Sequence, residues 1–333
     1  MKKGIVMLMI AAMAVGALAG CGGSNSAASD NTSSSNGTST EATSTPEASS
    51  ESTGSDSASS ADSGDSSSAD SGDSTASYSG PINVVSREDG SGTRGAFTEL
   101  FEIEVDGEDM TTQAAQVTNN TSVMMTTVGG DASSIGYISL GSLDDTVVKA
   151  VQIDGVDPTV ENVLAGDYTV SRPFNIVTAE GVSESAQDFI NYILSTEGQA
   201  IVEEEGYIPL QDTKAYSGTG ATEKITVAGS SSVSPVMEKL IEAYKGLYPD
   251  ADIELNTSDS TTGVTNTIEG VCDIGMASRE LKEDELSQGV TGTVIATDGI
   301  AVIVNLENPI ENLTTEQVQG IYMGEITDWS EIQ

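Results

Sequence analysis

Arg87-Glu88-Asp89-Gly90-Ser91-Gly92-Thr93-Arg94 follows an apolar run at 82–85 and opens a helix-like run at 96–101. The pattern is strand, glycine-rich turn, helix. Two glycines in a tight turn let successive backbone N–H groups point at one spot, and two hydroxyls and a guanidinium converge there. Such a set of donors suits a small tetrahedral oxyanion held without a metal. Strand, turn and helix alone would be a weak signal. The octapeptide with Arg and Asp at its start is more specific.

The chain begins with Lys2 and Lys3 and an apolar run at 4–17, too short for a comfortable membrane span. Leu18-Ala19-Gly20-Cys21 resembles the lipobox of bacterial lipoproteins, which implies a signal peptide over 1–20 and a lipid on Cys21. The alternative is an ordinary secretory signal with a chance Cys. Residues 21–80 are rich in Ser, Asp, Thr and Gly and carry no Lys or Arg. Such a stretch cannot bury enough surface to offset its ordering entropy, so it reads as a disordered tether. Cys272 is the one cysteine left, in an apolar run where a small core residue is expected. With no His in the chain, Ser-His-Asp chemistry is excluded, and no Cys or His cluster offers a metal site. No cofactor is expected.

Residues 81–333 alternate short apolar strands with amphipathic helices, which argues for an α/β architecture. Strands are expected at 82–85, 225–228, 253–256 and 300–304. A helix follows Ser234-Pro235, with Met237, Leu240, Ile241, Tyr244 and Tyr248 at helical spacing. A second is expected as one element over 185–203.

The Arg87–Arg94 octapeptide resembles the central signature of the phosphate-binding proteins that serve phosphate ABC importers. Gly229-Ser230-Ser231-Ser232-Val233-Ser234-Pro235 resembles the segment that begins those proteins. Ser258-Asp259-Ser260-Thr261-Thr262-Gly263 and Asp273-Ile274-Gly275-Met276-Ala277-Ser278-Arg279 resemble the next two ligand-bearing segments. The central signature would then follow Trp329, yet it stands at the front. The resemblance therefore implies a two-lobed, periplasmic-binding-protein-like (type II) fold in circularly permuted order. A truncated tandem of two half-copies is the alternative. One lobe is expected over 81–171 plus 303–333 and the other over 172–302, with residues 329–333 beside 81–84.

Residue by residue, the resemblance implies phosphate ligands at Ser231, Ser232, Ser260, Ser278, Arg87, Ser91, Gly92 and Thr93. Asp89 would brace the Arg87 guanidinium, and Arg279 would stand behind the ligands. Ser231 and Ser260 could instead be plain helix caps. Many members carry Asp where this chain has Ser278, an acceptor for the proton of hydrogen phosphate; Asp259 is a possible substitute. Implied partners are inorganic phosphate, ABC permease subunits, and the outer face of the cell membrane through Cys21, with the chain as a monomer. Receptors for sulfate, molybdate or tungstate, a surface phosphate sensor without transport, and a phosphate-ester hydrolase are the alternatives. From residue 81 onward 10 basic residues face 43 acidic ones, a balance of −33. Long-range steering would repel an anion, and the same charge argues against nucleic acid. Affinity for an anion must come from local, desolvated donors.

Overall fold

The computed structural model describes residues 78–332. The signal segment at 1–20, Cys21 and the tether up to residue 77 lie outside the described residues. No helix among the described residues is long and apolar enough to cross a membrane.

In chain order the first elements are β1 (Asn83–Arg87), α1 (Gly92–Leu100), a hairpin of β2 (Glu104–Val105) and β3 (Glu108–Asp109), β4 (Gln116–Thr118) and α2 (Thr121–Gly129). They are followed by β5 (Ser134–Ser139), β6 (Val148–Ala150), β7 (Gln152–Ile153), α3 (Val160–Ala165) and β8 (Ser171–Ala179). Then come α4 (Glu184–Ile193), α5 (Thr196–Glu204), β9 (Ile225–Ser230), α6 (Ser234–Leu247), β10 (Ile253–Ser258), α7 (Ser260–Ile268) and β11 (Ile274–Ala277). The last are α8 (Glu283–Leu286), β12 (Val290–Asn305), β13 (Asn312–Leu313) and α9 (Thr315–Met323).

A path of strands β10-β9-β11-β8-β12-β5-β1-β4 runs through the molecule. β9 pairs in parallel with both β10 and β11, and β1 in parallel with both β4 and β5. These parallel groups are joined by β12, which runs antiparallel to β8 from Val290 to Gly299 and then to β5 from Ile300 to Val304. The run expected at 300–304 is thus the second half of a strand of 16 residues. Its first half, with Thr291, Gly292 and Thr293, lacks the apolar density that marks the second.

Two apolar cores flank this joint. One gathers Val84, Phe97, Met124, Ile135, Tyr137, Tyr168, Val170, Ile300 to Val304, Tyr322 and Trp329. The other gathers Phe174, Ile176, Phe189, Val227, Leu240, Tyr244, Ile274, Met276, Ile295 and Ala296. The chain passes from one core to the other between Val170 and Phe174 and between Ala296 and Ile300. In the first core the Phe97 ring stacks on Tyr137 at 3.9 Å and meets Tyr322 edge-on at 4.6 Å. Such pairs add about 0.5–1.5 kcal/mol each beyond area burial.

Trp329 N–H donates to the Gly80 carbonyl at 2.9 Å, Ile82 N–H to Thr327 at 2.8 Å, and Pro81 bridges Asp328. The segment around 327–329 therefore continues into 80–82 in space. The helix expected over 185–203 is two helices. Ser195 ends the first, bonding back to the Tyr192 carbonyl at 2.6 Å, and caps the second by accepting from Gly198 N–H. Periodicity survives the break because both helices bury their apolar faces in one core.

Candidate functional site

Four helices start at the seam between the two cores. Gly92 and Thr93 open α1, Thr121 opens α2, Ser260 opens α7, and Ser231 and Ser232 lie in the turn before α6. The first N–H groups of a helix have no carbonyl of that helix to bond, and the helix dipole places partial positive charge there. Each helix start follows a parallel strand, β1, β4, β9 or β10, so the sheet order brings all four ends to one edge. Asn120 caps α2 through Val123 N–H, and Asp259 caps α7 through Thr262 N–H, both at 2.8 Å.

Arg87, at the end of β1, is 1% exposed. Its Nε and Nη2 grip the two oxygens of Glu88 at 2.8 Å each, and Nη2 also reaches Ser231 Oγ at 3.0 Å across the seam. Arg87 Nη1 is buried without a partner. The backbone behind it is fixed by Tyr137, whose hydroxyl accepts from Arg87 N–H at 3.2 Å and pairs with Ser86. Burial pushes that hydroxyl up to about 12, so it stays protonated.

The brace on Arg87 is therefore Glu88 and not Asp89. A turn closed by Ser91 N–H on the Glu88 carbonyl, with Gly90 at φ 87°, swings Asp89 outward. There it pairs with Arg94 Nη1 at 2.8 Å, fully exposed, while Arg94 Nη1 also holds the Arg87 carbonyl at 3.0 Å.

The hydroxyls form a network across the seam. Thr93 Oγ1 and Ser232 Oγ lie 2.8 Å apart, and Thr121 Oγ1 stands 3.3 Å from Ser232 Oγ. Ser230 Oγ donates to Ser278 Oγ at 3.0 Å, and Ser278 N–H donates to Ser260 Oγ at 3.0 Å. Ser232 N–H, expected to face a ligand, is directed to Ser230 Oγ at 3.2 Å. Ser91 caps α1, accepting from Arg94 N–H at 3.3 Å, which leaves its own proton to donate. Gly92 sits so close to the opposite side that a Cβ there would stand 2.3 Å from Ser260 Oγ and 2.8 Å from Ser278 Oγ. The seam is closed.

Ser260 is not the cap of α7, and Ser231 caps no helix. Asp259 is no substitute acceptor. Its Oδ1 takes Thr262 N–H at 2.8 Å and its Oδ2 the Thr262 hydroxyl at 2.5 Å. Arg279 is locked in a two-point pair with Glu285 at 2.7 and 2.8 Å and also donates to Thr261 Oγ1. Burial works against the Glu285 carboxylate, yet the Arg279 and Lys282 N–H donors hold it below the usual range. Two cavities flank the closed seam. One of about 640 Å³ is lined by Ser91, Arg94, Thr261 and Arg279. The other, of about 600 Å³, is lined by Thr121, Ser142, Ser231 and Thr257.

Sequence reasoning missed Glu88, Thr121 and Ser230. Asn119-Asn120-Thr121-Ser122, a cap string before an apolar run, was the available signal for Thr121. Ser230 lies inside the quoted motif as the last residue of β9, and the resemblance gives it no ligand role. Glu88 gave no signal that distinguished it from Asp89.

A family model described as PBP superfamily domain matches residues 29–197 and 214–333. The phosphate-binding protein PstS 2 of Streptococcus agalactiae is 56% identical over 259 residues, 76% of this chain and 88% of that protein. The phosphate-binding protein PstS of Bacillus subtilis is 32% identical over 134 residues, 40% of this chain and 43% of that protein. The crystal structure of a phosphate-binding protein of a phosphate ABC transporter from Streptococcus pneumoniae matches with a TM-score of 0.62 and 43% identity. It covers 76% of this chain and all of that one. A shared fold, a continuous match over most of both chains, and a seam built from hydroxyls, helix starts and one guanidinium agree: the chain belongs to the PBP superfamily and, within it, to the family of PstS phosphate-binding proteins.

Proposed function

We propose that this chain is an extracytoplasmic receptor that binds inorganic phosphate between its two lobes and delivers it to the permease subunits of an ABC importer. The observation that carries this reading is the meeting of four helix N-termini with the buried Arg87 guanidinium at one seam. Arg87 would hold the anion through Nη1 and the edge now on Ser231. Ser231, Ser232, Ser260, Ser278, Ser91 and Thr93 would donate hydroxyls, and Gly92 its N–H. Thr121 joins them. Arg279 acts from behind, fixing α8 against the strand that ends at Ala277, just before Ser278, and Asp89 holds Arg94 at the rim. We take the lobes to be 81–171 with 303–333, and 172–302, which follows the two apolar cores. The chain acts as a monomer, with a signal peptide over 1–20, a lipid on Cys21 and a tether over 21–80.

We read the element order as a circular permutation. The approach of Gly80 to Trp329 supports it. So does the contrast between the Streptococcus agalactiae protein, aligned over most of both chains, and the Bacillus subtilis protein, aligned over less than half of each.

A second reading, a receptor for tetrahedral oxyanions in general, is favoured by Ser278. No carboxylate at the seam is left to reject a fully ionised anion: Glu88 is spent on Arg87 and Asp259 on its helix. Calorimetric titration with phosphate, then with sulfate as competitor, separates the two. One-to-one phosphate binding that sulfate does not displace is expected. Arg87→Ala should lower the affinity at least about a thousandfold, since a buried charge-assisted pair is lost. Binding of both anions would favour the general receptor. Binding of neither would overturn both readings.

A further inference from the structure

Among the described residues five buried side-chain polar atoms lack a well-formed hydrogen bond: Arg87 Nη1, Arg172 Nη1, Thr111 Oγ1, and Tyr207 Oη and Ser142 Oγ, which face each other. Buried polar groups without partners are rare in folded proteins, and each calls for a partner such as a bound group or a water. Four of the five belong to one region. Arg172 and Asp298 face each other across β8 and β12, at the two points where the chain passes between cores. The Tyr207 ring lies where a Cβ on Gly141 would be, 2.5 Å away, and Gly141 N–H points at Asp298 from 3.5 Å. Ser142 shares its cavity with Ser231 and Thr121, and Ser231 holds Arg87.

The two buried arginines are built alike. Arg87 turns its Nε and Nη2 edge to Glu88. Arg172 turns the same edge to Asp298 Oδ2, at 3.3 and 3.1 Å, and Ser139 donates to the other oxygen at 2.9 Å. In each case the planar fork leaves Nη1 on the side away from the carboxylate. Arg172 is 3% exposed and Asp298 1%. Burial lowers the Arg172 guanidinium, Asp298 opposes the fall, and the charge of Arg87 adds to it. The two cations therefore repel each other, and an anion within reach of both would relieve that repulsion.

We propose that Arg172 is a second positive pole of the oxyanion site: a positioning residue at the crossover whose free Nη1 corner, with Tyr207 and Ser142, forms the polar floor beneath the bound anion. Asp298 holds the fork in place and tempers its charge. The inference rests on the receptor reading above. It also accounts for how so acidic a chain could hold an anion with only four arginines.

The test is titration with inorganic phosphate of the chain and three charge-removing variants, each first checked by its melting curve without ligand. Arg172→Gln is expected to weaken binding about tenfold, while Asp298→Asn, which unmasks the cation, tightens it about threefold. The double variant Arg172→Gln/Asp298→Asn replaces the ion pair by a neutral one and keeps the fold even if a single variant does not. It is expected to bind about fivefold more weakly than the unaltered chain. A purely structural pair would weaken binding in both single variants and leave a folded double variant unchanged. Either result overturns this inference while the receptor reading stands. Failure of the unaltered chain to bind phosphate overturns both.

Discussion

Ser278 is 1% exposed and sits between Ser230 Oγ and Ser260 Oγ, both in hydrogen-bonding reach. A hydroxyl there can donate or accept, so it tolerates either an ionised or a protonated oxygen on the anion. A carboxylate could only accept. Ser278→Asp should leave phosphate binding within about tenfold, because hydrogen phosphate donates its proton. Where sulfate binds the unaltered chain, as the general-receptor reading requires, the variant should weaken that binding at least about a hundredfold, because two buried anions would meet without a proton between them. Competition calorimetry of the variant reads the ratio, and an unchanged sulfate affinity would refute the argument. At this scale the sequence was informative wherever a helix start carries its own hydroxyl. Ser231, Ser260 and Thr93 are legible because strand, turn and hydroxyl are contiguous. Glu88 and Arg172 were not, because their roles depend on which way a turn faces and on the strand register across β8 and β12.

At the scale of elements, the segment joining α5 to β9 is the least readable part of the chain. By composition residues 211–222 read as a short polar linker, yet the structure docks them on α4 and α6. Asp188 of α4 takes the Tyr216 hydroxyl, the Tyr244 hydroxyl at 2.6 Å and Thr219 N–H at 2.9 Å. Tyr248 Oη donates to the Gly218 carbonyl at 3.1 Å. Linker composition could not reveal this, because one Tyr and a few small residues suffice when the partners are supplied from elsewhere. Burial raises the Asp188 carboxyl, but the two tyrosine hydroxyls and the linker N–H groups outweigh it and hold the group below its ordinary value. A depressed folded value means a stabilisation that is complete above the unfolded value, near pH 4, and lost as pH falls below it. Asp188→Asn should therefore lower the melting temperature by about 2–4 °C at pH 7. The gap to the unaltered chain should narrow progressively as pH falls below about 4. A gap that stays constant with pH would place the effect in shape and not in charge.

For the molecule as a whole, the two-lobed α/β organisation was legible because parallel strands and helix starts leave local marks. The joint between lobes was not, since the polar first half of β12 hides a long strand. The order of segments is the property that most needs a physical test. Gly80 bonds to Trp329, which opens a short 3-10 turn, Trp329–Glu331. The gap from 332 back to 80 is thus one a few added residues can span. Gln211 and Asp212 are exposed and lie before the Asp188 contacts. A chain carrying residues 212–333, a short Gly/Ser joint and residues 80–211 keeps every strand pair and the linker dock. Only loop-closure entropy changes, and that varies slowly with length, by about 0.6 kcal/mol per doubling. The reordered chain should melt within about 5 °C of the original and bind phosphate within about threefold. Two half-domains from a broken tandem would behave otherwise. Their order would have no interchangeable junction, and the reordered chain would lose cooperative melting and binding together. Calorimetric melting and phosphate titration of the same preparation distinguish the two outcomes.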